Sequence, residues 1–314
     1  MKKYLLKRIA ISIATLLVIL LILFLMLEFM PGSPFNDEKL TVDQIAMLNT
    51  KYGLDKSVFI RFFNYVKNMI TGDFGVSYTI SKNTPISTLL QSRLPISVRI
   101  GGQAVLLGTL VGLVLGITAA LKHNTIWDTI TTVISVLGVS LPSYVFALAL
   151  SYTLGYKLQM FPLLYSINAP FESSVLPTFA LCMFTIATIA RFTRTEMLEV
   201  LGSDYILLAE SKGISGIKLI LKHQLRNALI PIVTVLAPLI VGLMTGSLVI
   251  EKIFSIPGIG SLMVTAIQSN DYNVIVAIAF IYSAMYIGIM LSVDVLYGVI
   301  DPRIRLAKED NHEQ

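Results

Sequence analysis

Residues 9–27 read IAISIATLLVILLILFLML and carry no charged side chain. Such a run crosses the hydrocarbon core of a bilayer as a helix, which needs about 20 apolar residues. Five further apolar runs reach a similar length, at residues 100–121, 129–156, 173–190, 227–250 and 272–293. We therefore predict an all-α polytopic membrane protein with six transmembrane helices, because a helix in lipid satisfies its backbone hydrogen bonds within one segment.

The composition excludes several other classes of protein. Of the 314 residues, 55% are hydrophobic and 14% are charged, whereas a soluble protein carries about 25% charged residues. This much apolar surface also excludes a disordered chain. Cys182 is the single cysteine, which excludes an internal disulfide framework and a multi-cysteine metal site. The net charge is +5, but no dense basic tract occurs, so nucleic acid is not an expected partner.

The distribution of basic residues predicts the orientation in the membrane. Four basic residues precede the first apolar run, and six lie in the loop at 191–226. Cytoplasmic loops carry such an excess, so we predict that both termini are cytoplasmic. The first apolar run exceeds the 7–15 residues usual in a signal peptide, so residues 1–30 are expected to hold a retained first transmembrane helix.

The remaining chain divides into an external segment and a core. Residues 31–95 are of moderate polarity, and we predict helices at 42–52 and 58–70, followed by turns at Gly72, Gly75 and Pro85. Residues 96–314 form the predicted core of five transmembrane helices.

Glycines recur at helical spacing in two of the predicted spans. Gly108, Gly112 and Gly116 lie on one face of the second span. Small residues permit the close helix approach by which membrane helices associate, so this row is expected to contact a neighbouring helix. Gly242 and Gly246 are a similar pair in the fifth span.

The loop at 191–226 contains the pattern of two short amphipathic helices. Leu198, Leu201, Tyr205 and Leu208 recur at helical spacing, and Gly213 suits a left-handed helix end. Ser215 could cap a second helix. The apolar stripe of that helix comprises Ile217, Ile220, Leu221, Gln224 and Ala228. The helices either lie flat on the lipid headgroups or present a short helical knob to a soluble partner.

The sequence lacks several signatures of chemistry. It has no Gly-x4-Gly-Lys-Ser/Thr phosphate loop, no His-Glu-x-x-His and no Gly-x-Ser-x-Gly. Charged residues within the predicted spans, Glu28, Arg99 and Asp294, lie near span ends, whereas ion-coupled carriers place their sites near the midplane. We therefore predict a non-catalytic chain without a cofactor or bound metal, whose driving energy comes from elsewhere.

A series of short motifs along nearly the whole chain resembles the permease subunits of binding-protein-dependent ABC importers, in the oligopeptide and dipeptide (OppB/DppB) subgroup. The motifs are GSDY at 202–205, AESKG at 209–213, HQLRNALIP at 223–231, VIE at 249–251, IPGIG at 256–260, DY at 271–272 and DPRIR at 301–305, with PGSP at 31–34 and GDFGVS at 72–77 upstream. The Leu-Leu-Ala at 207–209 replaces the Glu-Ala-Ala of the broad importer signature, and His223 and Arg226 replace its Ile and Pro. Peptide permeases are similar to this chain in that respect.

The resemblance implies an ABC type I importer permease fold and a set of partners. These are a second homologous permease, two ABC ATPase subunits, an extracytoplasmic peptide-binding protein, the peptide substrate and membrane lipid. It also implies that the loop at 191–226 forms a coupling helix that docks on one ATPase. The residues expected to carry this coupling are Tyr205, Ala209, Glu210, Lys212, Gly213 and His223.

The residues lining the pathway are less evident from the sequence. Candidates in the third and fifth spans are Ser140, Ser143, Tyr144, Thr245 and Ser247. The alternative is that such residues serve only interhelical hydrogen bonds, worth about 0.6 kcal/mol on average.

Three other functions remain open at this stage. One is a permease for nickel or another small solute in the same subgroup. An ion-coupled secondary carrier would require inverted repeats, and none is evident. A membrane-embedded enzyme would require a catalytic pair at matching depth in two spans, and none is evident either.

Overall fold

A computed structural model describes residues 2–29 and 41–300, which contain thirteen α-helices and no β-sheet. The helices are α1 (Lys2–Glu28), α2 (Val42–Tyr52), α3 (Val58–Ile70), α4 (Ile86–Leu121), α5 (Ile126–Ser140), α6 (Ser143–Leu150), α7 (Val175–Leu201), α8 (Asp204–Ser211), α9 (Gly216–Leu219), α10 (Leu225–Met244), α11 (Leu248–Ile253), α12 (Ile259–Gln268) and α13 (Tyr272–Ile300). A π-helical segment, Ser151–Lys157, continues α6, and another, Ile220–Gln224, joins α9 to α10. The predicted motifs at 31–34 and 301–305 lie outside the described residues.

The predicted membrane helices are confirmed, with one change in shape. Five helical stretches are long and apolar enough to cross a membrane, and α5 with α6 makes a sixth if this pair, bent by 103°, is one span. The third span was predicted as one uninterrupted run. Pro142 explains the break, because proline disfavours the helical conformation of the residue before it. Leu141 accordingly adopts an extended backbone, with φ −86° and ψ 125°.

The chain folds into two compact units. Unit 1 comprises Met1–Ser97 and Pro257–Ile287, and unit 2 comprises Val98–Ile256 and Gly288–Gln314.

In unit 1, α1 packs against α3. Leu20 and Leu27 of α1 share an apolar core with Phe62 and Met69 of α3, and the Phe24 ring lies 5.6 Å from that of Phe62. The predicted helices at 42–52 and 58–70 are confirmed as α2 and α3. Thr41 and Gln44 form a reciprocal capping box at the start of α2.

Turns in the external segment also follow the sequence prediction. Gly72 and Gly75 adopt φ values of +80° and +76°, which favour glycine. Pro85 pairs with Val76 in an isolated bridge just before α4.

In unit 2, the largely buried helix α7 lies between α4 and α5. A Cβ at Gly108 or Gly112 of α4 would lie 2.6 or 2.8 Å from the Cβ of Thr185 or Ile189, respectively. Gly138 of α5 approaches α7 in the same way. The glycine row predicted from the sequence is therefore confirmed as a close contact, with α7.

The first glycine of the second predicted pair makes no such contact with the described residues. No described atom lies within 4 Å of the position that a Cβ at Gly242 would take. Gly246 adopts a φ of +86° after the end of α10, so it serves a break between α10 and α11.

Gly101 and Gly102 of α4 provide a matched test of helix packing in unit 2. A Cβ at Gly101 would collide with the backbone of Leu243 and lie 2.8 Å from the Cα of Met244, whereas a Cβ at Gly102 meets nothing within 4 Å. We expect Gly101→Ala to lower the free energy of unfolding by about 1–3 kcal/mol, and Gly102→Ala to leave it nearly unchanged. Thermal denaturation of the purified variants in detergent measures this, and equal melting temperatures would contradict the described contact.

Candidate functional site

The segment between α7 and α10 folds as a tight helical hairpin. We name α8, the turn at 212–215 and α9 the 204–219 hairpin. Gly213 has a φ of +81°, its N–H donates to the Glu210 carbonyl at 2.8 Å, and the Ile214 N–H donates to the Ala209 carbonyl at 3.1 Å. This pair of bonds is a Schellman motif. The predicted helix end at Gly213 is thus confirmed, and Ser215 lies at the predicted cap position without a capping bond from its side chain.

The 204–219 hairpin has an apolar core of its own. Ile206, Ala209 and Leu219 are buried together, with Val200 and Ile214 packed against them. Ala209 is only 6% exposed, so its small side chain fills the space between α8 and α9. Its contribution is to the shape of the hairpin.

The opposite face of the 204–219 hairpin is apolar and exposed. Leu208 is 56% exposed and Ile217 is 68% exposed. The other large exposed apolar residues of this region are Tyr205, Leu207 and Leu221. Glu210, Lys212 and Lys218 are exposed as well. The first predicted stripe is divided at Gly202, because Leu198 and Leu201 belong to α7 and pack near Met197, while Tyr205 and Leu208 remain open.

The π-helical segment at Ile220–Gln224 holds the last predicted coupling residue. His223 is half-buried, and its Nε2 has no hydrogen-bond partner among the described residues. Gln224 and Ala228 of the second predicted stripe are buried, whereas Ile217 and Leu221 are exposed. This stripe is therefore divided between two environments.

The predicted pathway residues lie at two helix breaks. Ser140, Ser143 and Tyr144 flank the bend between α5 and α6, and Thr245 and Ser247 lie in the break between α10 and α11. The two groups are linked because α6 packs against α11.

The hydroxyl groups at the second break serve the backbone. Thr245 Oγ1 donates to the Val241 carbonyl at 3.0 Å, and Ser247 Oγ accepts from the Ile250 N–H at 3.4 Å. Tyr144 and Ser140 at the first break are exposed.

The structure joins two of the motifs noted in the sequence, in unit 1. Asp271 is 0% exposed, and its carboxylate accepts from Ser77 Oγ at 2.5 Å. It also accepts from the backbone N–H groups of Tyr78 and Thr79 at 3.1 Å and of Ile80 at 3.2 Å. We name residues 77–81 together with Asp271 the Asp271 cage. Sequence reasoning identified both motifs but had no signal that paired them.

Gly75 and Asn273 complete the junction beside the cage. Asn273 Nδ2 donates to the Val76 carbonyl at 3.1 Å, and a Cβ at Gly75 would lie 3.2 Å from that nitrogen. The glycine therefore permits both the turn and the close approach of the asparagine.

A cavity of about 230 Å³ lies next to this junction, within unit 1. Its lining includes Tyr52, Arg61, Tyr65 and Tyr78. Burial raises the pKa of Tyr78 to about 12 and also raises that of Tyr65. Both phenols therefore remain protonated at neutral pH, as hydrogen-bond donors in a polar and aromatic cavity.

Unit 2 contains a partly buried ion pair that the sequence alone did not reveal. Arg194 of α7 donates from Nε to Asp128 Oδ1 at 2.5 Å and from Nη2 to Oδ2 at 2.9 Å. Asp128 lies in the first turn of α5 and is 5% exposed. The partners are 66 residues apart, so no local pattern pairs them.

Comparison with known proteins establishes the class of protein. Residues 112–306 match the family described as binding-protein-dependent transport system inner membrane component, and residues 1–101 match the N-terminal family of such membrane components. The chain belongs to this family of transport-system membrane components. It is thus a multi-pass transport protein of the bacterial inner membrane.

Individual relatives cover nearly the full length. The dipeptide transport system permease protein DppB of Lactococcus lactis is 44% identical over 98% of this chain and 100% of its own. DppB of Bacillus subtilis is 40% identical, with 98% and 100% covered. The oligopeptide transport system permease protein OppB of Salmonella typhimurium is 37% identical, with 97% and 100% covered.

Two solved transporters share the fold. The inward-facing MetNI methionine ABC transporter superposes with a TM-score of 0.55 at 15% identity, covering 68% of this chain and 96% of that one. An amino acid ABC transporter with histidines gives a TM-score of 0.52 at 16% identity, covering 67% and 93%. The predicted ABC permease fold is thereby confirmed.

The Asp271 cage predicts a large effect of a small substitution. Asp271→Asn replaces an oxygen acceptor with an amide that faces backbone N–H donors, and each lost hydrogen bond to a charged group is worth about 1.5–3 kcal/mol. We expect a clear fall in the melting temperature of the detergent-purified protein. Asp55→Asn, at an exposed position of the same unit, is the matched control. If the two variants melt together, the cage does not stabilise unit 1.

Proposed function

We propose that this chain is one of two permease subunits of an ATP-driven importer for dipeptides or oligopeptides. Relatives named as dipeptide and oligopeptide permeases, 37–44% identical over nearly the whole chain, support this function. The second subunit would be a homologue, and an external binding protein would deliver the peptide. Both termini would lie in the cytoplasm, as the distribution of basic residues indicates.

We assign the 204–219 hairpin to the docking of a cytoplasmic ATPase. The observation that carries this assignment is the hairpin's combination of an internal core with an exposed apolar face around Leu208 and Ile217. An exposed apolar patch rimmed by polar residues is typical of a protein–protein contact. Glu210, Lys212 and Lys218 supply that rim and would set the orientation of the partner.

The predicted coupling residues then take two roles. Tyr205, Glu210 and Lys212 are exposed and would contact the ATPase directly. Ala209 and Gly213 would act by holding the shape of the hairpin, Ala209 in its core and Gly213 in its turn. His223 would lie at the junction with α10, in a π-helical segment of the kind often found at functional sites.

The helix breaks suit a pathway that opens and closes. Helix ends and irregular segments absorb the backbone changes that accompany such motion. Ser140, Ser143 and Tyr144 at the α5–α6 bend would face the substrate. Thr245 and Ser247 would instead stabilise the α10–α11 break through the bonds they make to the backbone.

Uptake by a deletion strain tests the function directly. We expect cells that lack their own peptide permeases to accumulate a radiolabelled dipeptide when they express this chain with its sister permease, ATPases and binding protein. Uptake should stop when the ATPase subunits are inactivated. Accumulation of nickel ions without peptide would overturn the peptide assignment, and accumulation by the purified chain alone in vesicles would overturn the dependence on ATP.

The docking face predicts the effect of surface charge on assembly. Leu208→Asp and Ile217→Asp each place a carboxylate in the apolar contact. We expect the amount of ATPase recovered with the affinity-purified permease to fall at least tenfold. Dipeptide uptake should fall by at least the same factor. Asn227→Asp introduces the same charge at an exposed position of α10, outside the hairpin, and serves as the control. Insertion of all three variants is checked by their amount in washed membranes. Normal ATPase recovery with both the Leu208→Asp and the Ile217→Asp permease would refute the docking face.

A further inference from the structure

The carboxylate of Asp128 accepts hydrogen bonds from three neighbouring residues. Oδ1 accepts from Arg194 Nε, and Oδ2 accepts from Arg194 Nη2 and from the Asn124 N–H at 3.1 Å. His123 Nδ1 lies 2.8 Å from Oδ2 and donates to it when this nitrogen is protonated. A buried carboxylate with this many donors is held in one orientation.

The two partners lie at informative places along the chain. Arg194 belongs to the last two turns of α7, which leads into the 204–219 hairpin. Asp128 lies in the first turn of α5. The other end of α5 is the bend at Pro142, beside Ser140, Ser143 and Tyr144. The ion pair therefore joins the helix that carries the hairpin to the helix that carries the bend.

The other buried residues of α5 are small, and one of them is shown in close contact with α7. The face of α5 buried against its neighbours comprises Thr131, Ser135 and Gly138 besides Asp128. A Cβ at Gly138 would lie 2.7 Å from the Cβ of Ala187, while Ser135 Oγ finds no partner among the described residues. A helix face of small residues permits close packing. It offers few large side chains that would resist sliding of α5 along α7.

The bidentate pair of Arg194 and Asp128 opposes the sliding of α5 along α7 that the small residues do not prevent. An arginine fork matches the two oxygens of a carboxylate in one relative position, and a lysine ammonium cannot reproduce this geometry. Displacing α5 along α7 by one turn, about 5.4 Å, would leave the buried charge of Asp128 without its partner. The pair thus fixes the axial register of the two helices at the hairpin end.

We propose that Asp128 and Arg194 are positioning residues for energy coupling, which lock α5 to α7 so that displacement of the 204–219 hairpin reaches the α5–α6 bend. This inference rests on the proposed function. His123 is the outer and more exposed partner, so it supports the carboxylate without carrying the register.

The test measures coupling, using the complete transporter reconstituted in vesicles with its ATPases and binding protein. The readout is the number of ATP molecules hydrolysed per labelled dipeptide imported. Arg194→Lys keeps the charge but loses the fork, and we expect this ratio to rise at least fivefold while the rate of ATP hydrolysis stays within twofold. Arg191→Lys makes the same replacement at an exposed position of α7 and is the control, with an unchanged ratio.

A second pair of variants keeps the test decisive if a single substitution impairs folding. Asp128→Asn alone should raise the ratio in the same way. The double variant Asp128→Asn with Arg194→Gln removes both charges and retains amide groups that can hydrogen-bond, so it should assemble well and still remain uncoupled, because amides do not reproduce the bidentate pair.

The outcomes separate this inference from the function on which it rests. If the unmodified transporter does not link ATP hydrolysis to dipeptide uptake, the proposed function fails. If it does, and the Arg194→Lys and double variants transport with an unchanged ratio, the positioning role fails. A purely structural ion pair would reduce the amount of assembled complex and both activities in proportion, which also leaves the ratio unchanged and overturns the inference.

Discussion

The close approach of α4 and α5 to α7 is the constraint on which unit 2 depends. In lipid, helices gain little from hydrophobic exclusion and associate mainly by packing. Glycines at 108, 112 and 116 bring the α4 backbone against side chains and carbonyl groups of α7, and Gly138 does the same from α5. The C-terminal end of α7 leads directly into the 204–219 hairpin.

The hairpin and the helix breaks divide rigid from adaptable parts. The Schellman turn at Gly213 and the core of Ile206, Ala209 and Leu219 make the hairpin a body that can be pushed as one piece. By contrast, Pro142 and Gly246 interrupt the spans at positions where backbone groups can change partners. Under the proposed function, the hairpin would be the element that the ATPase moves, and the helix breaks would be the places where the spans adjust.

Much of this architecture could be predicted from local sequence patterns. Apolar runs located the membrane helices, shorter apolar patterns located α2 and α3, and the glycine row indicated a close contact. Gly213 marked a helix end, because few residues other than glycine adopt its backbone conformation. These features depend on neighbours within a few positions along the chain.

Features that depend on distant partners were not predictable. Gly242 has the spacing of a contact glycine, but no described atom lies within 4 Å of the position its Cβ would take. The stripes around Tyr205 and Ile217 are apolar without being buried. In both cases the burial of a helix face depends on what else packs there. The ion pair of Asp128 and Arg194 and the pairing of Asp271 with Ser77 join residues far apart in sequence. Only the folded chain shows which carboxylate meets which donor.

The Asp271 cage has a consequence for the order in which the protein is made. Ser77 and Asp271 are separated by 194 positions, and a ribosome adds about 5–20 residues per second. At that rate, the loop at 77–81 is synthesised about ten seconds or more before its carboxylate partner, Asp271. During biosynthesis its amide groups must be satisfied by other partners such as water, and the Asp271 cage can form only after residue 271 has been synthesised.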